Sequence, residues 1–339
     1  MSDHNLIGPF IRRFLLEELA ADRNLTPNTQ KSYRDTIRLL FGFVADRHST
    51  DPTRVTVEQV DTTVVCSFLA HLEQERGNSI STRNQRLAAL HSLFRFIGRL
   101  VPELVDHAAQ IQAIPLRRTA PPVMSYLEKH EMDALLAVPD CRHAQGCRDY
   151  ALLLFLYNTG ARATEAAELT VADLSLDTSP AARFHGKGRK IRTCPLWAHT
   201  AKILHEMLGM RLEGPSVARV FLNSRRQPIT RHGVHALIAR IVNKAAEDVP
   251  SLRHKRVSPH TIRHTTAVHL LRAGVDINTI RAWLGHVSLE TTNRYAEIDL
   301  EMKAKALETC AVVSGPNATP RPSPNWHTDS ELMSFLASL

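Results

Sequence analysis

Residues 258–271, SPHTIRHTTAVHLL, place His260, Arg263, His264 and His269 in one short run that contains no acidic residue. Two histidines four positions apart would share a helix face, a spacing used to hold zinc. A zinc hydrolase of the HExxH kind needs a glutamate after the first histidine, and Thr261 stands there instead. No third ligand follows from the spacing, and Arg263 beside His264 would repel a cation. The arginine points to an anion. A second basic concentration, RFHGKGRKIR, carries Arg183, Lys187, Arg189, Lys190 and Arg192 with no acid. It fails the phosphate-loop pattern, because Gly188 replaces the Ser/Thr and the earlier glycine is missing. Such loading suits either a nucleic-acid backbone or an exposed basic turn. A third stretch, GVDINTIRAWLGHVSLETTNRY, has a helix, Gly285 and a short helix, as many DNA-binding turns do. Its Tyr295 reads equally as a core tyrosine of an amphipathic segment.

The elements that must position these residues are mostly helical. Tyr33, Ile37, Leu40, Phe41 and Val44 follow a 3.6-residue period, with Thr26 as the predicted cap and Pro27 in the first turn. VTVEQVDTTVVCSFLAHLEQER predicts a third helix, ended by Gly77-Asn78. SISTRNQRLAALHSLFRFIGR predicts a fourth, with Leu87, Leu90, Phe94 and Ile97 on one face. Arg83, Asn84 and Arg86 fall on what reads as its other face, either a solvated surface or a set of phosphate contacts. Residues 113–122, AIPLRRTAPP, hold three prolines and no apolar period, as a linker would. A helical region then starts near Ser125, and DYALLLFLYNTGARATEAAELTVADL reads as a buried helix, a Thr-Gly turn and a helix opening near Arg162. PAARFHGKGRKIRTCPL breaks the helical pattern and suits a β-hairpin around Gly186-Lys187-Gly188. A proline-rich spacer leads to a last amphipathic segment, where Leu332, Met333, Phe335, Leu336 and Leu339 recur at helical spacing.

The 339 residues set two domains as the natural expectation. A hydrophobic content of 43% and a charged content of 22% are those of an ordinary globular chain, which excludes disordered and fibrous classes. The formal net charge of +8 favours a polyanionic partner, nucleic acid first. Cys66, Cys141, Cys147, Cys194 and Cys310 form no CxxC pair, so free thiols in a reducing compartment are expected. The start lacks the apolar core of a signal peptide, and no run reaches the ~18 apolar residues of a membrane helix. The expectation is a cytoplasmic protein.

Taken in order, TGARATEAAEL, HGKGRKIRTCPL, HTIRHTTAVHLLRAGVDINTIRAWLGH and TTNRYAEID resemble the tyrosine recombinase, or phage integrase, family. The resemblance covers about residues 123–310, and the N-terminal helices resemble that family's core-binding domain more weakly. It implies a mainly α fold: a four-helix, SAM-like core-binding domain over 1–112, a linker over 113–122, and an α-rich catalytic domain over 123–312. The catalytic domain would carry a small antiparallel β-hairpin or sheet, and 313–339 would form the spacer and terminal segment. The family's arginine matches Arg162, its hairpin lysine Lys187, its HxxR pair His260 and Arg263, its next histidine His286, and its tyrosine Tyr295. Lys190 lies close to Lys187 and competes with it for the lysine position. Alanines at 161, 163, 166 and 167 stand where the family often carries larger apolar residues, a matter of packing more than chemistry.

The reaction so implied is a transesterification, in which a tyrosine oxygen attacks a DNA phosphodiester, forms a 3′-phosphotyrosine and expels a 5′-hydroxyl. Another 5′-hydroxyl then reverses the step, so neither ATP nor a metal is implied. A free tyrosine, with a pKa near ~10, is only ~0.1% phenolate at pH 7, so the site must activate it. Arg162 and Arg263 would fork onto the nonbridging oxygens, where charge builds in the transition state. His260 would accept the tyrosine proton, Lys187 would protonate the leaving oxygen and His286 would hydrogen-bond the phosphate. Glu165, one turn beyond Arg162, is either a buttress of the cationic site or a surface carboxylate. His264 and His269 read as packing residues. Lys31, Arg83, Arg86, Arg189 and Lys190 are the candidate DNA-binding side chains.

The family also implies double-stranded DNA with inverted-repeat sites, a clamp of two domains, and a tetramer on two sites. Partner recombinases and a bacterial, nucleoid-associated, mobile-element setting fit the same picture, with no membrane. The terminal segment would dock on a neighbouring protomer, the alternatives being docking within its own chain or a disordered tail. A type IB topoisomerase and a non-catalytic DNA-binding regulator are the alternatives. The separate core-binding domain disfavours the first, and the filled set of six disfavours the second.

Overall fold

A computed structural model describes residues 6–49, 51–119, 124–185, 191–209 and 218–285. The chain divides into two units, Met1–Pro122 and Val123–Leu339. In the first, α1 (Ile7–Arg13) runs into a π-helical stretch, Phe14–Asp22. Phe14 and Leu19 are both fully buried, five apart, a spacing that i→i+5 geometry stacks and an α-helix would not. The sequence shows an ordinary helical period there, with Ile7, Phe10, Ile11, Phe14 and Leu15 on one face, and nothing in it reports the π winding. As predicted, Thr26 caps α2 (Pro27–His48) by accepting from the Thr29 amide, and Pro27 takes the first position. Ile37, Leu40 and Val44 are buried along its inner face, with Tyr33 and Phe41 partly buried beside them.

The third helix starts later than its apolar run suggests. Asp61 caps α3 (Thr62–Gln74), while Val55, Val57 and Val60 enter the core from irregular chain. Ser79 caps α4 (Ile80–Leu100), whose Leu87, Leu90, Phe94 and Ile97 are fully buried as expected. α5 (Val105–Gln112) closes the bundle. Beyond it, Ile114 is buried in the same core, so the first residues of the proline-rich stretch are bound to this unit.

In the second unit a helix begins at α6 (Lys129–Ala137), four residues after Ser125, with Glu128 and Glu131 forming the cap. The Leu127 amide is instead held by the Thr265 hydroxyl at 2.9 Å. α7 (Ala144–Thr159) is the buried helix the sequence predicts, with every residue from Ala151 to Thr159 buried. It stops at Gly160, whose φ of +59° gives the left-handed turn that glycine supplies without strain. α8 (Ala163–Glu168) follows. The strands of the predicted hairpin are β2 (Ala181–His185) and β3 (Ile191–Pro195), and β1 (Leu174–Ser175) adds to β2 to make a three-stranded antiparallel sheet. Its register runs from Ala181 opposite Pro195 to His185 opposite Ile191. Ala182, Phe184 and Cys194 point into the core.

α9 (Ala198–Gly209) and α10 (Arg231–Asp248) pack around α7 and α8. α11 (Pro259–Arg272) opens on Ser258, which accepts from the Thr261 amide while the Thr261 hydroxyl accepts from the Ser258 amide. Two threonines seat it. Thr265 donates within the helix and receives Leu127, and Thr266 donates to the Tyr157 carbonyl at 2.7 Å. α12 (Ile277–Leu284), capped by Asp276, ends at Gly285 with φ +66°. Cys66, Cys141, Cys147 and Cys194 are free thiols. Among the described residues no helix is long and apolar enough to cross a membrane.

Candidate active site

Three chain ends converge in the second unit: the C-terminus of α7, the first turns of α11 and the C-terminus of α12. Arg263 joins them. Its side chain is 1% exposed, and its guanidinium donates to the Gly160 carbonyl and to the Leu284 carbonyl, each at 2.6 Å. Both acceptors sit where a helix leaves carbonyls without intrahelical partners and where its dipole is negative, so a cation is favoured there. The Gly160 contact bridges 103 positions of sequence. A side chain at Gly160 would crowd this junction, because a Cβ would lie 2.3 Å from Leu284 Cδ2.

Arg162 occupies the cap position of α8 and is 48% exposed. Glu165, 11% exposed, holds it from beneath, accepting from the Arg162 Nη1 at 2.7 Å and from its amide at 2.9 Å. The buttress reading of Glu165 therefore describes its placement, and the surface-carboxylate reading does not. The two candidate arginines are unequal: Arg162 stands at the rim and Arg263 in the floor.

His260 lies one helical turn before Arg263 and is exposed. Partial loss of solvent on the side of the ring that faces the protein, then the positive charges of Arg263 and Arg162, hold its imidazole pKa below the ordinary histidine value. The ring is accordingly neutral at neutral pH, the form that accepts a proton. Its ring centroid is 4.2 Å from that of His264 in a T-shaped contact. Among the described residues no group of three or more His, Cys, Asp or Glu side chains could share a metal ion. His269 is a packing residue, with Nδ1 2.7 Å from the Tyr157 hydroxyl.

One residue at this site escaped the sequence reading as anything but part of a basic turn. Arg192 reaches Glu165 at 2.5 Å and donates to the Trp283 carbonyl at 3.0 Å. The signal was available: in β3 it shares a face with fully buried Cys194, two residues on. Burial pushes the Glu165 carboxyl upward, and Arg192, the Arg162 amide and the Arg162 guanidinium outweigh it, leaving the pKa below the ordinary glutamate value. Lys187, Arg189 and Lys190, in the loop joining β2 to β3, lie outside the described residues, as do His286, Tyr295 and the terminal segment.

In the first unit, Lys31 is exposed on α2 and Arg86 is partly buried on α4. Arg83 is corrected. It is 6% exposed, pairs with Glu73 at 3.4 Å and donates to the Pro115 carbonyl at 3.2 Å, so it faces inward and is not a phosphate contact. It lies four residues before Leu87, on the apolar face of α4 rather than opposite it. Asn84 brackets the main chain of Arg117 from the same helix, donating to its carbonyl at 2.7 Å and accepting from its amide at 3.1 Å.

Comparison with known proteins gives a consistent result. The phage integrase family matches residues 125–302, and the N-terminal SAM-like domain of phage integrases matches residues 11–99. The protein y4rC of Sinorhizobium fredii (strain NBRC 101917 / NGR234), named as an integrase/recombinase, is 39% identical over 342 residues and covers 100% of both chains. Tyrosine recombinase XerC of Pelobacter propionicus is 35% identical, covering 86% of this chain and 91% of its own. Among solved structures, the Tn1549 transposon integrase with a circular intermediate DNA aligns at a TM-score of 0.66 and 17% identity, covering 88% of this chain and 98% of that one. That likeness is one of fold. The chain belongs to the phage integrase family, the tyrosine recombinases.

Proposed function

We propose that this protein is a site-specific DNA recombinase that cuts and rejoins double-stranded DNA through a 3′-phosphotyrosine bond formed by Tyr295. The observation that carries this reading is the gathering of Arg162, His260 and Arg263 around one turn, with α12 ending beside them two residues before His286. Arg162, at the rim, meets the nonbridging oxygens of the scissile phosphate with guanidinium donors directed away from Glu165. Arg263 adds fixed positive charge from the floor, where water is excluded and the charge acts at full strength. Neutral His260 takes the tyrosine proton. Lys187 protonates the departing 5′-oxygen, and His286 hydrogen-bonds the phosphate. One phosphodiester replaces another, so the sequence of steps is close to thermoneutral and runs without ATP.

The DNA partner follows from the family and the charge of +8, and is supported by related recombinases solved on DNA. Inverted-repeat sites, a tetramer on two sites, partner recombinases, and a cytoplasmic location on a mobile element complete the proposal. Lys31 and Arg86 in the first unit and Arg189 and Lys190 in the second are the proposed phosphate contacts.

The test begins with a duplex recovered by the purified protein from a random-sequence library. The duplex is then nicked beside the candidate scissile phosphate to trap the intermediate. Wild type should form an SDS-resistant adduct with EDTA present, and Tyr295→Phe should form none. An adduct that persists in the variant moves the nucleophile elsewhere. A wild type that binds but never forms an adduct is a regulator.

A further inference from the structure

Arg192 has more anchorage than a basic turn requires. Its side chain is 13% exposed and touches three separate elements. Nη2 meets Glu165 Oε2 on α8 at 2.5 Å, Nη1 donates to the Trp283 carbonyl at the end of α12 at 3.0 Å, and Cζ lies 4.0 Å above the Phe184 ring of β2. The next carbonyl of α12, that of Leu284, belongs to Arg263. Two guanidiniums thus cap consecutive carbonyls of one helix end, and Trp283 adds a third tie by donating from Nε1 to the Asn158 carbonyl at 3.2 Å. Gly285 fits this arrangement. A Cβ there would lie 2.8 Å from Arg192 Cδ and 3.0 Å from Nε.

Glu165 is where the consequence for chemistry arises. Its Oε1 holds the Arg162 guanidinium, while its Oε2 is shared between the Arg162 amide and Arg192. A carboxylate held at both oxygens has one orientation, and so does the arginine it supports. We propose that Arg192 is a positioning residue for strand cleavage, aiming Arg162 through Glu165 and fixing the end of α12 from which the chain continues to His286. This inference rests on the recombinase reading.

Its consequences separate aim from binding. Displacing a catalytic group by about 1 Å can cost on the order of 100-fold in rate without a change in affinity. Arg192→Gln, which keeps a hydrogen-bonding side chain but loses the charge, should slow single-turnover cleavage of the nicked duplex by about 10- to 100-fold. Affinity for the same duplex should stay within about 2-fold. Arg192→Lys retains the pair with Glu165 but cannot also bridge to Trp283, and should recover part of the rate. Glu165→Gln should cost a similar factor, and the double variant no more than the worse single, because the two act through one contact. With its strongest cation gone, Glu165 titrates at higher pH, so the acid limb of the cleavage profile in Arg192→Gln should move upward. A structural role alone would not move it.

The experiment is that cleavage series on the full chain, with circular dichroism at the assay temperature showing each variant folded. Failure of the wild type to form an adduct sinks the recombinase reading and this inference with it. A wild type that cleaves, beside an Arg192→Gln that cleaves within about 3-fold of it, overturns the inference alone. So does a double variant whose loss is the product of the singles, or a rate loss matched by lost affinity. Should Arg192→Gln fail to fold, Arg192→Lys decides, and a wild-type rate in that variant overturns the inference.

Discussion

Gly160→Ala tests the core of the argument, because two costs can be worked out separately. A non-glycine residue in the left-handed region costs about 1–2 kcal/mol. The new Cβ would also lie 2.3 Å from Leu284 Cδ2, and overpacking of a closed core costs about 1–3 kcal/mol. The expected total is about 2–5 kcal/mol, or roughly 4–20 °C in Tm for a unit of this size. Gly274 is the control. Its φ of +83° carries the backbone cost, but nothing lies within 4 Å of its virtual Cβ. Gly274→Ala should therefore cost only about 1–2 kcal/mol. Pairing Gly160→Ala with Leu284→Ala isolates the steric part, since the smaller side chain makes room. The coupling energy from the four melts should be about 1–3 kcal/mol, with the double variant more stable than additivity predicts. Cleavage should fall too, because a displaced Leu284 carries away the carbonyl that Arg263 holds. Coupling below about 0.5 kcal/mol, with Gly160→Ala no worse than Gly274→Ala, would refute the close approach.

Three further outcomes are expected. Glu73→Gln leaves the Arg83 guanidinium, 7% exposed, without its carboxylate; removal of one buried partner costs about 3–5 kcal/mol, and Glu73 at 20% exposure places this loss at the low end in chemical denaturation. A loss below about 1 kcal/mol would return Arg83 to the solvated face. His260 and His269 both titrate below 6.5, chiefly through burial, so the unfolded chain binds more protons as pH falls from 6.5 toward their folded values. Stability should hold above that window and decline within it, and His269→Gln should flatten the Tm-against-pH slope; an unchanged slope would remove His269 from the account. Deleting 314–339 should abolish synapsis of paired sites while single-site binding survives, and intact synapsis would rule out docking of the terminal segment on a neighbour.

What the sequence discloses follows the range of the forces involved. Thr26-Pro27 announces a helix start because caps are local. Leu87, Leu90, Phe94 and Ile97 announce a buried face because burial repeats with the helix. His260 and Arg263 are legible as a pair because one turn separates them. Arg83 misled because its charge suggests solvent, whereas its position one turn before Leu87 places it inward, where it pairs with Glu73 and donates to the Pro115 carbonyl. The start is legible as an amphipathic helix, but the π winding of Phe14–Asp22 is not, because only the Phe14-to-Leu19 spacing departs from the ordinary period. Arg192 depends on partners 27 and 91 positions away, and no local pattern reports such distances.

The hydrophobic clusters of the two units share no residue, and the partners described for Arg162 and Arg263 fall between Gly160 and Leu284. The described part of the candidate site is thus aimed from within a single unit. Exchanging residues 1–122 for those of a relative with another target is therefore expected to change the site bound and to leave strand cleavage intact, and a chimera that binds the new site without cleaving it would refute that separation.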